Sequence, residues 1–308
     1  MDSELPHGVM FHHFCENSQP NSLGAITPNQ LEKIIASYKK RAIDILPAEE
    51  WYQRALMGSL NKGQVCLTFD DALRSQINLA LPVLEKHGLT AFWFVYSSVF
   101  EGEKSTFEIY RYFYDNYFAT FDEFFYVFIR YLQSSQAIKD FLHERNRFLE
   151  SDYLSEYPFY SDVEKEYRYF RDRVLSKEQF NQLMENILAD YEVSYAEISK
   201  NLWMTNDHLL DLVGNSHIVG LHSYSHPTSM SSLNVGDQVN EYPRNAVHLH
   251  SVIGRPVRTV AHPVNSYGKQ TLRILESMGI MIGFRSNMHK KSFGPLEQPR
   301  ADCNGIWH

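Results

Sequence analysis

Short apolar runs recur along the chain, and each passes into a stretch with helical spacing. The first is Gly8-Val9-Met10-Phe11-His12-His13-Phe14, and the second, Val65-Cys66-Leu67-Thr68-Phe69, ends on Asp70-Asp71. Behind it Ile77, Leu81 and Leu84 fall on one face of a predicted helix that Gly88 stops, with Pro82 marking a kink. A third strand, Thr90-Ala91-Phe92-Trp93-Phe94-Val95, follows directly. Strand, helix and strand in such quick succession form a βαβ unit, which implies a parallel sheet. Further strands are predicted at Ile218-Val219-Gly220-Leu221, at Val257-Arg258-Thr259-Val260-Ala261 and at Ile280-Met281-Ile282-Gly283-Phe284. The alternation predicts an α/β fold, as a barrel or an open parallel sheet.

Between 98 and 215 the rhythm breaks. That interval is helical in pattern, poor in Gly and Pro, and dense in Tyr, Phe, Glu and Lys. It reads as a helical, aromatic-rich insertion within a single domain spanning 1–308. Aromatics crowd 107–131, among them Tyr110, Phe113, Tyr114, Phe121, Phe124 and Phe128. Either they fill the insertion's own core, or they form a lid or a dimer surface that stacks on substrate. The second alternative leaves a homo-oligomer open.

Composition narrows the classes. Of 308 residues, 44% are hydrophobic and 21% charged, values of an ordinary globular protein. Net charge is −8 without a Lys/Arg block, which argues against nucleic acid as partner. Cys15, Cys66 and Cys303 form no C-x-x-C pair, so neither a disulfide framework nor a thiolate zinc site is expected. No run approaches the roughly 18 apolar residues of a membrane span. The acidic start lacks the apolar core of a signal peptide. A cytoplasmic address is the expectation.

Chemistry concentrates at two predicted strand ends, where α/β folds build their sites. Adjacent carboxylates at Asp70-Asp71 repel unless a cation lies between them. One can then ligate metal while its neighbour moves protons. In His222-Ser223-Tyr224-Ser225-His226-Pro227 two imidazoles four residues apart can converge on one ion. One Asp and two His leave coordination positions open, as a catalytic metal site requires. Taken singly, the Asp pair also suits a helix N-cap, and the His pair suits ordinary surface or core histidines.

The order T-F-D-D, H-S-x-x-H and a proline loop resembles the polysaccharide deacetylase (NodB-homology) family, carbohydrate esterase family four. The resemblance runs over 9–23, 61–97 and 216–302. It implies a distorted (β/α)7 barrel and one divalent metal, most often zinc. Asp70 then matches the base, Asp71, His222 and His226 the metal ligands, and Ser223 the residue that steadies the histidine loop. In Ala261-His262-Pro263-Val264, Pro263 fits the third motif, but Ala261 stands where an arginine tethers the base, which implies a base without that tether. The Val264 N–H is the implied oxyanion donor. The late L-x-x-H motif that carries the acid is not evident. His262 and, after it, His289 are the candidates, while His12 and His13, near the end of the first strand, could line the pocket but read first as core or as residues behind it. Pro299-Arg300-Ala301-Asp302 resembles the closing L-P-R segment of an Arg-poor variant.

The implied activity is removal of an N-acyl group, acetyl first, from an amino sugar or glycan precursor. A cytoplasmic address favours a small or lipid-linked sugar over an external polymer. Two rival readings remain: hydrolysis of a non-sugar amide or formamide, and an inactive metal- and carbohydrate-binding protein.

Overall fold

The computed structural model describes residues 5–16, 24–135, 140–155, 160–289 and 293–306. The acidic start at 1–4 and the end of the first resembling stretch, through Leu23, lie outside them. The chain divides into two compact units, Met1–Ser105 with Trp203–His308, and Thr106–Leu202.

The first unit is a parallel sheet wrapped by helices. Its strands are β1 (His7–Phe11), β2 (Asp44–Ile45), β3 (Gln64–Asp70), β4 (Ala91–Val95), β5 (Ile218–Leu221), β6 (Thr259–Ala261), β7 (Ile282–Phe284) and β8 (Arg300–Asp302). Their spatial order is β7-β6-β5-β4-β3-β1-β8, with β2 on β3, and every ladder is parallel. The segment before β8 closes the gap. Gln298 pairs with Phe284 of β7, donating to the Gly283 carbonyl at 2.7 Å, while the Pro299 carbonyl accepts from Gly8 of β1. The result is a nearly closed α/β barrel, as the resemblance implied.

Strand residues alternate between two faces. Cys66, Phe92, Phe94, Ala261, Ile282 and Phe284 pack around Trp51 of α2 (Ala48–Leu56). Residues of the other parity, including Val9, Phe11, Leu67, Phe69, Trp93, Val219 and Val260, meet the flanking helices. Those are α1 (Pro28–Lys40), α3 (Leu81–His87), α10 (Asn206–Gly214), α11 (Val235–Ile253) and α12 (Lys269–Ser277). A buried side chain of this size contributes about 1.5–3 kcal/mol. Period two therefore sends Thr68 and Asp70 of β3 to the same face as Cys66. At Pro82 the missing N–H shows as a π-helical turn, Gln76–Ala80, leading into α3.

The second unit holds α4 (Thr106–Tyr117), α5 (Phe121–Ser134), α6 (Phe141–Leu149), α7 (Asp162–Tyr169), α8 (Lys177–Asp190) and α9 (Tyr195–Leu202). Its bounds are narrower than 98–215. The turn Ser98–Glu101 and helix α10 group with the barrel, because their apolar residues feed its core. The six aromatics singled out in the sequence are all buried. Tyr114, Phe124, Phe128 and Tyr167 lie in ring contact at 5.0–6.2 Å, which makes them the unit's own core.

Candidate active site

β3 ends by delivering two carboxylates in different directions. Asp70 completes the strand, whereas Asp71 (φ 80°) and Ala72 (φ 56°) turn into the left-handed region. Each such non-glycine residue costs on the order of 1–3 kcal/mol unless its surroundings impose it. The surroundings do: Gln76, in the π-turn, donates its side-chain amide to the Asp70 carbonyl (2.6 Å) and the His12 carbonyl (2.7 Å). Met204 donates to the Ala72 carbonyl. The turn is thereby pinned from both sides.

Asp70 is gripped by Arg300, whose Nη1 and Nη2 reach its two oxygens at 2.7 and 2.8 Å, with both side chains buried. The same guanidinium donates from Nε to the Arg285 carbonyl. Such a bidentate pair fixes orientation as well as charge. Arg300 starts on β8 and crosses β1 to arrive there. It can do so because residue 8 is glycine: a Cβ at Gly8 would sit 3.1 Å from both Arg300 Cγ and Thr68 Cγ2. Ala261 does leave its own position without an arginine, but the expectation of an untethered base is corrected here. The cation enters from the other edge of the barrel.

The histidine loop follows β5. His222 shares that strand's ladder, donating its N–H to the Val95 carbonyl. Its Nδ1 lies 2.9 Å from the Ala261 carbonyl. That acceptor puts the proton on Nδ1 and turns the Nε2 lone pair toward Asp71 Oδ1, 3.4 Å away. His226 Nε2 lies 3.3 Å from the same oxygen. The loop is bent through Ser223 (φ 64°) and His226 (φ 54°). Ser223 Oγ accepts the His226 N–H at 3.1 Å, the bracing that the resemblance implied. Glu241 of α11 braces it further, accepting from the N–H groups of Tyr224 and Ser225 and from the Ser225 hydroxyl at 2.6–2.9 Å.

Asp71, His222 and His226 each offer one ligand atom, all within 4.8 Å of one another. Asp71 Oδ1 is buried and receives no hydrogen bond of good geometry among the described residues, although two imidazole nitrogens face it. Lone pairs aimed at one point suit a divalent cation, and the donor set of one carboxylate and two imidazoles fits zinc, cobalt, nickel or iron.

Burial alone would raise both carboxyls. For Asp70 the Arg300 charge, then His222, the Arg300 hydrogen bonds and His12 outweigh it and hold the group below its ordinary range. For Asp71 the neighbouring imidazoles of His222, His226 and His12 do the same. Burial lowers His222, but the Asp70 and Asp71 carboxylates more than reverse it. Two ionised carboxylates held side by side are what a bound cation would stabilise.

His12 lines the site, the less favoured of its two sequence readings. β1 ends at Phe11, and the next residue places Nε2 3.8 Å from Asp70 Oδ2 and 4.0 Å from Asp71 Oδ2, with the side chain 31% exposed. The expectation that it is core is corrected, since the chain leaves the sheet just before it. His262 differs from expectation as well. It is buried, its Nε2 is 2.8 Å from the Leu296 carbonyl, and it stacks on Tyr267 at 4.1 Å. Burial pushes it down to about 4. A neutral ring whose N–H is committed to a carbonyl has no proton to give near neutrality, so as an acid His262 is poorly placed. His289 is exposed beyond β7. Pro263 is buried at the start of a tight turn that puts Val264 in the left-handed region (φ 49°), its side chain outward.

Residues 177–283 match the polysaccharide deacetylase family model; the stretch includes both loop histidines and His262, and leaves out Asp70-Asp71. No curated protein sequence matches the chain. Among solved structures, the chain is similar to the Streptococcus pyogenes deacetylase PplD in complex with acetate, at 15% identity and TM-score 0.57, covering 99% of this chain and 95% of that one. It is also similar to IcaB from Ammonifex degensii (14% identity, TM-score 0.54, covering 97% and 90%). A third is a de-N-acetylase from Aggregatibacter actinomycetemcomitans (12% identity, TM-score 0.58, covering 97% and 95%). At these identities the solved structures speak for the fold. The family model supports the H-S-x-x-H half of the resemblance, and the solved structures support the barrel it implied.

Proposed function

We propose, for a chain with a polysaccharide deacetylase stretch on the deacetylase barrel, that it hydrolyses the N-acyl group, acetyl first, of an amino sugar within a glycan. One observation carries the reading: an ionised carboxylate clamped by Arg300 stands beside three convergent ligand atoms of Asp71, His222 and His226. A divalent cation held there, zinc first, supplies Lewis acidity to the acyl carbonyl and to water.

The rest falls to the protein's own groups. Asp70 takes the proton of the attacking water, whose oxygen adds to the acyl carbon. It can do so because Arg300 keeps it ionised and aimed. The oxyanion donor falls, on the resemblance, to a backbone N–H near Val264. Collapse breaks the C–N bond, and the nitrogen leaves as an amine only if protonated. We assign that proton to His12, the partly exposed imidazole beside Asp70. The products are acetate and a free amino sugar.

The reading of an inactive binding protein drew on a missing arginine and a missing late histidine. Arg300 and His12 fill those two places from other parts of the chain. A non-sugar amide or formamide remains the rival substrate. Metal-replete protein is assayed for acetate and formate on a panel of N-acetylated sugars and simple amides, alongside elemental analysis. About one transition metal per chain and acetate from the sugars is the expected result. Metal-loaded protein that frees no acid from any sugar would overturn the proposal.

A further inference from the structure

The second unit carries a feature that the barrel chemistry leaves unused. A groove of about 600 Å³ opens on its surface, lined by Tyr117, Asp122, Glu123, Tyr126, Arg130 and Tyr191 among others. It is shallow and open, the form of a surface along which an extended chain could lie. Tyr117, Tyr126 and Tyr191 are 45%, 67% and 39% exposed, and they are the strongly exposed tyrosines among the described residues. All three gather in this one groove. Asp122, Tyr126 and Arg130 follow one another at four-residue steps along α5, so they form one stripe opposite the face that buries Phe121, Phe124, Phe125 and Phe128.

Charge says what such a surface takes. Residues 106–202 carry 18 acidic against 11 basic side chains, so −7 of the chain's −8 resides in this unit. Tyrosine faces attract cations as well as the C–H faces of sugar rings, and carboxylates accept from ammonium and hydroxyl groups. A second copy of so acidic a surface would be repelled, and a nucleic acid more so. We propose that this groove binds the cationic, de-N-acetylated stretch of an amino-sugar polymer, an inference that rests on the deacetylase reading for its source of ligand. Arg130 gives the groove a donor for hydroxyls or for the carbonyl of a remaining acetyl group, so a mixed strand fits better than a uniform one. Holding the product strand raises the local concentration of its still acetylated neighbours. The substrate is then a polymer, not the small or lipid-linked sugar that a cytoplasmic address favoured.

The test uses the full chain, titrated calorimetrically with β-1,4-linked glucosamine hexamer and with its N-acetylated counterpart. The cationic hexamer is expected to bind the tighter of the two, and more weakly as salt rises. Tyr126→Ala and Asp122→Asn should each weaken it roughly tenfold, the size of one lost cation–π or charge contact. Both variants are exposed and should leave acetate release from monomeric N-acetylglucosamine unchanged. Equal binding by Tyr126→Ala and the parent, or a preference for the acetylated hexamer, would overturn the proposal. A parent dimer that Tyr126→Ala converts to monomer would overturn it too, making the groove a self-interface. Binding is read without turnover, so a protein that frees no acetate yet holds the cationic hexamer through Tyr126 would refute the deacetylase reading and leave this one standing.

Discussion

Both units bury charge, and they do it to different ends. In the second unit Arg111 lies 3.6 Å from Asp115 one turn on, Glu166 meets Arg145 at 2.8 Å, and Glu164 caps its own helix at Ser161. Each charge finds a cation or a donor within its own helical layer. Burial even pushes Asp115 up to about 7, with no cluster of metal-ligand atoms around it among the described residues. In the barrel the buried charges come from β3, β8 and the loop after β5, and they meet at one point. A displaced titration alone therefore does not mark chemistry in this molecule. Convergence of acceptors from distant strands, with Asp71 Oδ1 short of a donor, does.

The sharpest way to break that comparison is to remove the base. Asp70→Asn keeps the shape and deletes the charge, and turnover should fall about 10²–10⁴-fold. Metal content, read by elemental analysis, should stay near the parent's. Near-normal acetate release would move the base elsewhere.

Next in size is Arg300→Gln. Asp70 would remain buried without its guanidinium, an uncompensated charge worth about 3–5 kcal/mol in unfolding experiments. The sign follows from its depressed folded value. A carboxyl held low contributes stability above its unfolded pKa and loses it as pH falls through the folded one. Without Arg300 that contribution vanishes, and the acid limb of the stability curve should shift to higher pH. An unshifted limb would mean that Arg300 does not set the state of Asp70.

His12→Gln tests the acid. Removing one general acid costs about 10²-fold or more. The loss should shrink for substrates with better leaving groups, such as an N-acetylated aniline, because these need protonation less. A loss equal on both substrates would return His12 to a structural role.

The parts legible in the sequence share one property: they are local. T-F-D-D and H-S-x-x-H each stand within six residues at the end of an apolar run, and period-two alternation suffices to place Asp70. Arg300 was not legible as the partner of Asp70. Its strand, Arg-Ala-Asp, has three residues and no apolar period, and the ion pair joins positions 230 residues apart. His12 was obscured by a strand read through to Phe14, when the ladder stops at Phe11. β2, two residues long, gives no pattern at all. In the second unit the buried aromatics were legible from their density. The three exposed tyrosines were not, because helical spacing in so aromatic a segment does not say which ring faces water.

Glu241→Ala shifts attention from the ligands to their support. The loop holds Ser223 and His226 in left-handed conformations, and one carboxylate satisfies three of its donors. Loss of such outer partners typically costs 10–100-fold in metal affinity. Competition with a chelator should show that loss. Restoring metal in excess should recover most of the turnover, which separates a weakened site from a damaged base. Failure of excess metal to recover it would show that Glu241 does more than hold the loop.

The smallest expected effect is also the most diagnostic of the barrel's design. Gly8 has no chemistry, an ordinary negative φ and a place in mid-strand, so a backbone argument predicts that alanine is harmless there. Packing predicts otherwise. The new methyl would press at 3.1 Å on Arg300 Cγ and Thr68 Cγ2, both within buried side chains that have little room to yield. Overpacking of this kind costs about 1–3 kcal/mol. The strain can be relieved by sliding the guanidinium off Asp70, so Gly8→Ala should lower turnover a few-fold and raise the acid limb slightly, a weak copy of Arg300→Gln. Combined with Arg300→Gln it should add almost nothing, because the side chain it displaces is gone. Full additivity of the two would show that Gly8 matters for the sheet and not for the passage of Arg300 across β1.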